Sequence, residues 1–278
     1  ITTIILLPAR KVLIKISRIV VRGNDAKQSE VFLDERLLLS PGLAVHESYN
    51  MAVKMSDIAR SCVLTAMGLM LSYDNDKAAD VKTEETELDM YEDKLGSFLV
   101  KLSASALSDN DSADVSKLLH NIGDFERIGD HALNICKVAE EMHNKGISFS
   151  DEAKREIAVI TNAVTEILNM TVDSFVNDDI ETASHVEPLE QVIDKLNKRL
   201  KARHVTRLQN GECTIELGFV FTDLLTNYER VSDHCSNIAV YTMQLPSDKL
   251  DAHKYLAKIK NSEDGTFVDD FNMYSEKY

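Results

Sequence analysis

The stretch that decides the fold is DFERIGDH at residues 124–131, which returns as NYERVSDH at residues 227–234. The offset is constant, since 229 − 126 = 103 and 233 − 130 = 103. A match of this length indicates two copies of one structural unit. Each copy places a Glu and an Asp four residues apart, and on a helix this spacing puts both carboxylates on one face. The two pairs are Glu126 with Asp130 and Glu229 with Asp233.

Helical segments surround both copies, and no stretch alternates convincingly like a strand. The 278 residues include only 10 Gly and 4 Pro, which indicates few turns and long helices. Polar loops at residues 74–76 and 177–179 occupy matching places in the two copies. The six predicted helices cover roughly residues 43–72, 77–105, 112–144, 150–176, 180–208 and 213–244. The sequence therefore predicts an all-α fold of two tandem three-helix bundles packed side by side.

Four regions follow from this pattern. They are a membrane-exit segment and linker at 1–33, a first repeat at 34–146, a second repeat at 147–245 and a tail at 246–278. The tail has a short helical stretch at 254–259, followed by aromatic residues at helical spacing. These aromatic residues are Phe267, Phe271, Tyr274 and Tyr278. We expect this face to pack back on the bundle, and a surface for a partner is the alternative.

The first 22 residues combine an apolar run at 1–9 with five basic residues and no acid. The run is shorter than the roughly 20 residues that span a bilayer. Bases directly after an apolar run are typical of the cytoplasmic exit of a transmembrane helix. An amphipathic helix that docks on its own domain fits equally well. Because the chain begins at Ile1, we expect a processed chain or a piece of a longer membrane protein.

The composition excludes several functions. The formal net charge is −15, and no basic surface is visible beyond the first 22 residues, which argues against nucleic-acid binding. This acidity suits cation binding, or it simply keeps the surface soluble. The four cysteines form no CxxC pair, and we expect them to be reduced and mostly buried. No nucleophile elbow, phosphate-binding loop or zinc-protease motif is present, so we expect no enzyme.

A second acidic pair lies on the second helix of each bundle. The pairs are Asp89 with Asp93 and Glu190 with Asp194, at an offset of 194 − 93 = 101. The offset is two shorter than that of the other motif, which indicates a small loop insertion. If the second and third helices pack side by side, four carboxylates converge in each bundle.

Two interpretations of these acids stay open. The first is a solvated face with nearby basic partners, such as Arg127 and Arg230. The second is a cation site, because like charges one turn apart destabilise an isolated helix and a counterion would relieve them. Oxygen ligands without cysteine suit magnesium, calcium or manganese, or an exposed iron or zinc site. His131 and His234 point 100° away from the carboxylate face, so we interpret them as surface or capping residues.

At these motifs the sequence resembles the PhoU family, whose members are all-α proteins of two three-helix repeats that regulate bacterial phosphate uptake. The family carries an E(D)xxxD motif, with which some members bind iron or zinc clusters. The resemblance therefore implies metal ligands and favours iron or zinc, with manganese or magnesium as alternatives. The implied ligands are Glu126, Asp130, Glu229 and Asp233, with Asp89, Asp93, Glu190 and Asp194 as their companions.

Three flanking pieces, residues 32–41, 253–256 and 274–278, look like the cytoplasmic PhoU-like domain of bacterial sodium/phosphate cotransporters. This resemblance implies a regulatory domain at the cytoplasmic face of the membrane. Its expected partners are the membrane domain of its own transporter and phosphate held through the metal, and a homodimer is compatible with it. The alternative is a free-standing PhoU-type regulator of a permease and a sensor kinase. A structural helical adaptor whose acids are merely solvated is the third class.

Overall fold

The computed structural model describes residues 33–243 and 265–278, and every regular element within these ranges is helical. A short 3-10 helix, Glu35–Leu39, comes first. The helices are α1 Pro41–Leu69, α2 Asn75–Ser103, α3 Asp109–Lys145, α4 Asp151–Asn177, α5 Ile180–Ser184, α6 Val186–Gln209, α7 Ile215–Thr242 and α8 Gly265–Lys277. The basic stretch of the predicted membrane-exit segment and the predicted helical stretch at 254–259 lie outside the described residues.

The two predicted bundles are confirmed: α1 to α3 form the first repeat, and α4 to α7 form the second. The third helices of the repeats, α3 and α7, pack against each other, and α1 contacts α4. At this junction the Phe125 ring meets the edge of Phe175 at a centroid distance of 5.1 Å. The Tyr49 hydroxyl donates a hydrogen bond of 2.7 Å to the Phe175 carbonyl. Apolar side chains from both repeats therefore form one continuous core.

The predicted fifth helix is broken into α5 and α6 at His185. Pro188 explains the break, because proline has no backbone N–H to donate to the carbonyl of Ser184 and its ring clashes with that carbonyl. The start of α5 is capped by Asp179, whose carboxylate accepts the backbone N–H groups of Glu181 and Thr182. Asp74 caps the start of α2 in the same way. The two caps are 179 − 74 = 105 residues apart, which fixes how the second helices correspond.

The tail helix α8 lies on α6. Tyr274 is 4% exposed, and the Lys195 ammonium lies 3.9 Å from the centroid of the Phe271 ring. Lys277 forms an ion pair of 2.7 Å with Glu166 on α4. The aromatic face of the tail therefore contacts the second repeat. Within the described ranges, no helix combines the length and the apolarity that crossing a bilayer requires.

Three of the four cysteines, Cys62, Cys136 and Cys235, are buried, and all four are free thiols. Burial raises the pKa of Cys235 to about 12, so this thiol is not ionised at neutral pH. Cysteine reacts as the thiolate, which makes a buried neutral thiol inert. The prediction that the cysteines are mostly buried is confirmed, and their reduced state stays a prediction.

Gly129 on α3 packs directly against Leu88 on α2. A Cβ atom at this position would overlap Cδ1 of Leu88, which is itself fully buried. We therefore expect Gly129→Ala to lower the free energy of unfolding by about 1–3 kcal/mol, the usual cost of overpacking a core. Gly123→Ala on the same helix is the control, because nothing lies within 4 Å of its Cβ position.

The control change is expected to stabilise the protein by up to about 1 kcal/mol, since alanine favours helix more than glycine does. Urea unfolding followed by circular dichroism measures both effects. Equal effects of the two substitutions would contradict the close packing of α2 on α3.

Candidate metal centres

The first repeat gathers three carboxylates at the junction of α2 and α3. Glu85 and Asp89 lie one turn apart on α2, and Asp130 comes from α3. One oxygen of each lies within 4.8 Å of one oxygen of each of the others. Oxygens on opposite sides of one calcium ion are about 5 Å apart, since each bond is 2.3–2.6 Å long. We call these three residues the first cluster.

The second repeat builds the same arrangement at the junction of α6 and α7. Its members are Glu190 and Asp194 on α6 and Asp233 on α7, again within 4.8 Å of one another. Glu190 is 4% exposed, so this cluster reaches deeper into the bundle than the first. We call these three residues the second cluster. Their oxygens fit the ligand preference of hard cations such as magnesium, calcium and manganese.

The clusters show that α2 and α6 correspond at an offset of 105 and not 101. Glu85 matches Glu190 and Asp89 matches Asp194, in agreement with the 105-residue spacing of the caps. Sequence analysis therefore missed Glu85. Asp93, one turn further along α2, is exposed and outside the cluster. Aligning the two capping aspartates would have revealed Glu85.

Glu126 and Glu229 lie one turn before the aspartates of α3 and α7, beside the clusters rather than within them. The pKa of Glu126 is raised to about 7, first by burial and then by repulsion from Asp130, Asp89 and Glu92. Glu229 has a different environment. It accepts hydrogen bonds of 2.7 Å from the Asn197 amide and 3.1 Å from the Lys201 ammonium.

Basic side chains surround the second cluster. Lys198 pairs with Asp194 at 3.1 Å, and Arg230 pairs with Asp233 at 3.0 Å. The pKa of Asp233 is nevertheless raised, because burial outweighs the attraction of Arg230. Within the described part of the chain, no ion pair reaches the three carboxylates of the first cluster or Glu126.

The predicted position of the acids beside the core stripe is confirmed, since Glu126, Glu229 and Asp233 are half-buried and Asp130 is exposed. Each faces a neighbouring helix of its own repeat and still reaches water. A carboxylate in this position can bind an ion that arrives from solvent.

His131 and His234 differ from the interpretation as surface or capping residues. Their rings stack between the two repeats at a centroid distance of 5.5 Å. Nδ1 of His131 lies 2.9 Å from the side-chain oxygen of Asn227, and Nδ1 of His234 lies 2.8 Å from Asp124. Since 227 − 124 = 103, the two contacts are related by the internal repeat. The histidines join α3 to α7 and do not enter the clusters.

Comparisons with known proteins agree with this architecture. The sequence profile of the PhoU domain matches residues 52–139 and 157–242, more than half of the chain. The matches begin 157 − 52 = 105 residues apart and end 242 − 139 = 103 residues apart, the two offsets seen in the structure.

Two relatives are similar to this chain over long stretches at 20–25% identity. "Phosphate-specific transport system accessory protein PhoU homolog 1" of Thermotoga maritima is 25% identical over 142 residues, which cover 51% of this chain and 60% of that protein. "Phosphate-specific transport system accessory protein PhoU homolog" of Clostridium acetobutylicum is 20% identical over 207 residues, or 74% of this chain and 93% of that protein.

The fold also matches solved structures. The crystal structure of PhoU from Pseudomonas aeruginosa aligns with a TM-score of 0.69 at 20% identity. The alignment covers 78% of this chain and 98% of that one. The phosphate transport system regulatory protein PhoU from Streptococcus pneumoniae aligns with a TM-score of 0.66 at 16% identity. At these identities, the likeness establishes the fold.

Proposed function

The chain belongs to the PhoU domain family, and on that premise we propose that it regulates phosphate uptake through cations held at its two acidic clusters. PhoU family proteins are regulatory accessory proteins and not enzymes, in agreement with the non-enzymatic prediction. The observation that carries the cation-dependent part is the convergence of three carboxylates from two helices in both repeats.

Each helix pair would hold its ion with its own residues. Asp89 and Asp130 with Glu85 would bind it in the first repeat, and Glu190, Asp194 and Asp233 would do so in the second. A bound di- or trivalent cation supplies positive charge that can accept a phosphate oxygen as a further ligand. Iron, zinc, manganese and magnesium remain the proposed ions.

Cation binding also changes the helices themselves. Without an ion, the clustered carboxylates repel one another, as the raised pKa of Glu85 beside Asp89 and Asp130 reflects after burial. An ion would remove that repulsion and draw α2 onto α3 and α6 onto α7. The surface of the bundle that a partner contacts would shift accordingly, which is a route from cation occupancy to regulation.

The partner we propose is the membrane-embedded part of a phosphate transporter, approached from the cytoplasmic side. The relatives carry the name of phosphate-specific transport accessory proteins, which favours a regulator acting on a separate permease. The sodium/phosphate cotransporter domain stays a prediction, and much of its support lies in residues outside the described ranges. Apolar runs of about 20 residues encoded upstream of Ile1 would favour the cotransporter.

Phosphate uptake in the source bacterium tests the proposal. Disrupting the gene is expected to abolish the dependence of radioactive phosphate uptake on external phosphate, and the wild-type gene is expected to restore it. A gene encoding Asp130→Asn and Asp233→Asn together is expected to restore little. Unchanged control of uptake after disruption would overturn the regulatory role. Full restoration by the double variant would show that regulation does not depend on the two clusters, while the chain would still be a regulator of phosphate uptake.

A further inference from the structure

The surroundings of the two clusters differ at three corresponding positions. At the offset of 105, Glu92 corresponds to Asn197, Asp93 to Lys198 and Gly96 to Lys201. The second helix of the first repeat thus carries two acids and a glycine where that of the second repeat carries an amide and two lysines. At these three positions the first repeat therefore carries more negative charge beside its cluster than the second, although Lys137 on α3 attracts Glu85.

In the second repeat, basic side chains already neutralise the acids. Lys201 and Asn197 both contact the same oxygen of Glu229, and Asn197 is 1% exposed and also donates to the Leu225 carbonyl. Glu229 is therefore fixed by a buried amide and a cation of the chain itself. An entering metal ion would have to compete with Lys198 for Asp194 and with Arg230 for Asp233.

In the first repeat, the acids face one another. Asp130, Asp89 and Glu92 repel the Glu126 carboxylate, and the Arg127 guanidinium attracts it. No amide or lysine corresponds to Asn197 or Lys201, so Glu126 can turn toward an ion in the first cluster. An added carboxylate strengthens binding of a hard cation, because affinity at oxygen sites follows the ligand charge.

We propose that the two cation sites are unequal, with a tight site in the first repeat and a weaker, exchangeable site in the second. Glu126 completes the tight site together with Glu85, Asp89 and Asp130. Lys201 weakens the other site by holding Glu229 away from the ion. The inference rests on the proposed function, since it assumes that the clusters bind cations. The weaker site of the second repeat would then gain or lose its ion as the cation concentration changes.

Manganese is a suitable probe because it accepts oxygen ligands. The full chain, purified without an affinity tag and stripped with EDTA, is titrated with Mn²⁺ by isothermal calorimetry. We expect two classes of site that differ at least about tenfold in affinity, because their ligand charges differ. Asp130→Asn is expected to remove the tight class, and Asp233→Asn the weak class. Glu126→Gln is expected to bring the tight class close to the weak one.

Substitutions of Lys201 test directly whether this side chain weakens the site of the second repeat. Lys201→Met is expected to tighten the weak class by about tenfold, because the ammonium that attracts Glu229 is gone and the neutral Asn197 amide competes less with an ion for that carboxylate. Lys201→Arg keeps the charge and is expected to keep the parent affinity. Lys54→Met removes the same charge from α1, a helix that contributes no residue to either cluster, and is expected to change neither class.

Two results would overturn the inequality: equal affinities of the two classes in the parent, or a weak class that Lys201→Met leaves unchanged. No binding of manganese, zinc or ferrous iron to a folded parent would instead refute the cation-dependent part of the proposed function. Circular dichroism of each variant separates lost binding from lost folding.

Discussion

Replacing Glu85 with glutamine is expected to empty the cation site of the first repeat, whereas replacing Asp93 with asparagine should leave it filled. The two residues lie on the same helix, two turns apart, and each change removes one negative charge. Glu85 has an oxygen within 4.8 Å of oxygens of Asp89 and Asp130, and Asp93 is exposed outside this group. Because both variants lose the same charge, any difference in bound metal between them reflects the position of the carboxylate.

The expected loss at Glu85 exceeds the roughly 10–100-fold that removing an outer-shell partner of a metal site costs, because Glu85 would bind the ion directly. Manganese bound per chain, measured by elemental analysis after gel filtration, reports the result. Both changes are made in an Asp233→Asn background, so that the remaining metal belongs to the first repeat. Melting curves give a second readout, since an ion that binds only the folded state raises its stability.

The opposite result would also be informative. Loss of metal from Asp93→Asn with retention in Glu85→Gln would place the ion further along α2, beside Asp93 and away from Glu85. Metal that stays bound in both variants would place the ion away from the first cluster, and the carboxylates would then be a solvated face.

The sequence predicted the acidic helices but not which turn of α2 belongs to the site. The motifs around Glu126 and Glu229 are identical at four of eight positions, including both acids, and similar in residue type at the others, so the offset of 103 is unambiguous. On α2 the acids at 85, 89 and 93 are each one turn apart and share one face, so a shift of one turn preserves the pattern. The start of the helix resolves the ambiguity, because a capping aspartate marks a fixed position in the fold.

The role of His131 and His234 could not be predicted from periodicity. Helical spacing correctly separates them from the carboxylate face. It does not show that α7 of the other repeat covers that side of α3, because this contact joins residues about 100 positions apart. The same holds for Lys201, whose significance depends on its distance from Glu229 on another helix. Local patterns give the helices and their buried faces, whereas the partners across helices depend on how the bundles pack.

The second large effect is expected far from the clusters, at a buried ion pair of the second repeat. Glu156 on α4 and Arg207 on α6 approach to 2.8 Å, and both side chains are 7% exposed. The guanidinium also lies 5.6 Å from the centroid of the Phe221 ring. Replacing Glu156 alone with methionine leaves the Arg207 charge buried without this carboxylate. We expect a loss of about 3–5 kcal/mol in the free energy of unfolding, as for other broken buried pairs.

The first repeat supplies the compensating change. At the offset of 105, Met51 corresponds to Glu156 and Leu102 to Arg207, so the same position in the fold is apolar there. Leu102 is fully buried, which shows that a leucine fits this part of the bundle. The double variant Glu156→Met with Arg207→Leu removes both charges and their desolvation. It is expected to match the parent or exceed it by about 1–4 kcal/mol, the range found when apolar residues replace a buried ion pair.

Urea unfolding of the two variants and the parent at pH 8 measures both effects. His204, which stacks on Phe221 beside Arg207, has a pKa lowered by burial and by that cation. At pH 8 it is neutral in the folded and the unfolded state, so it adds no difference between variants. Toward acidic pH, below its ordinary pKa near 6.5, the unfolded state binds the proton more readily and every variant that keeps His204 buried loses stability. A double variant as unstable as the single one would show that the pair is held by specific geometry that apolar packing cannot replace.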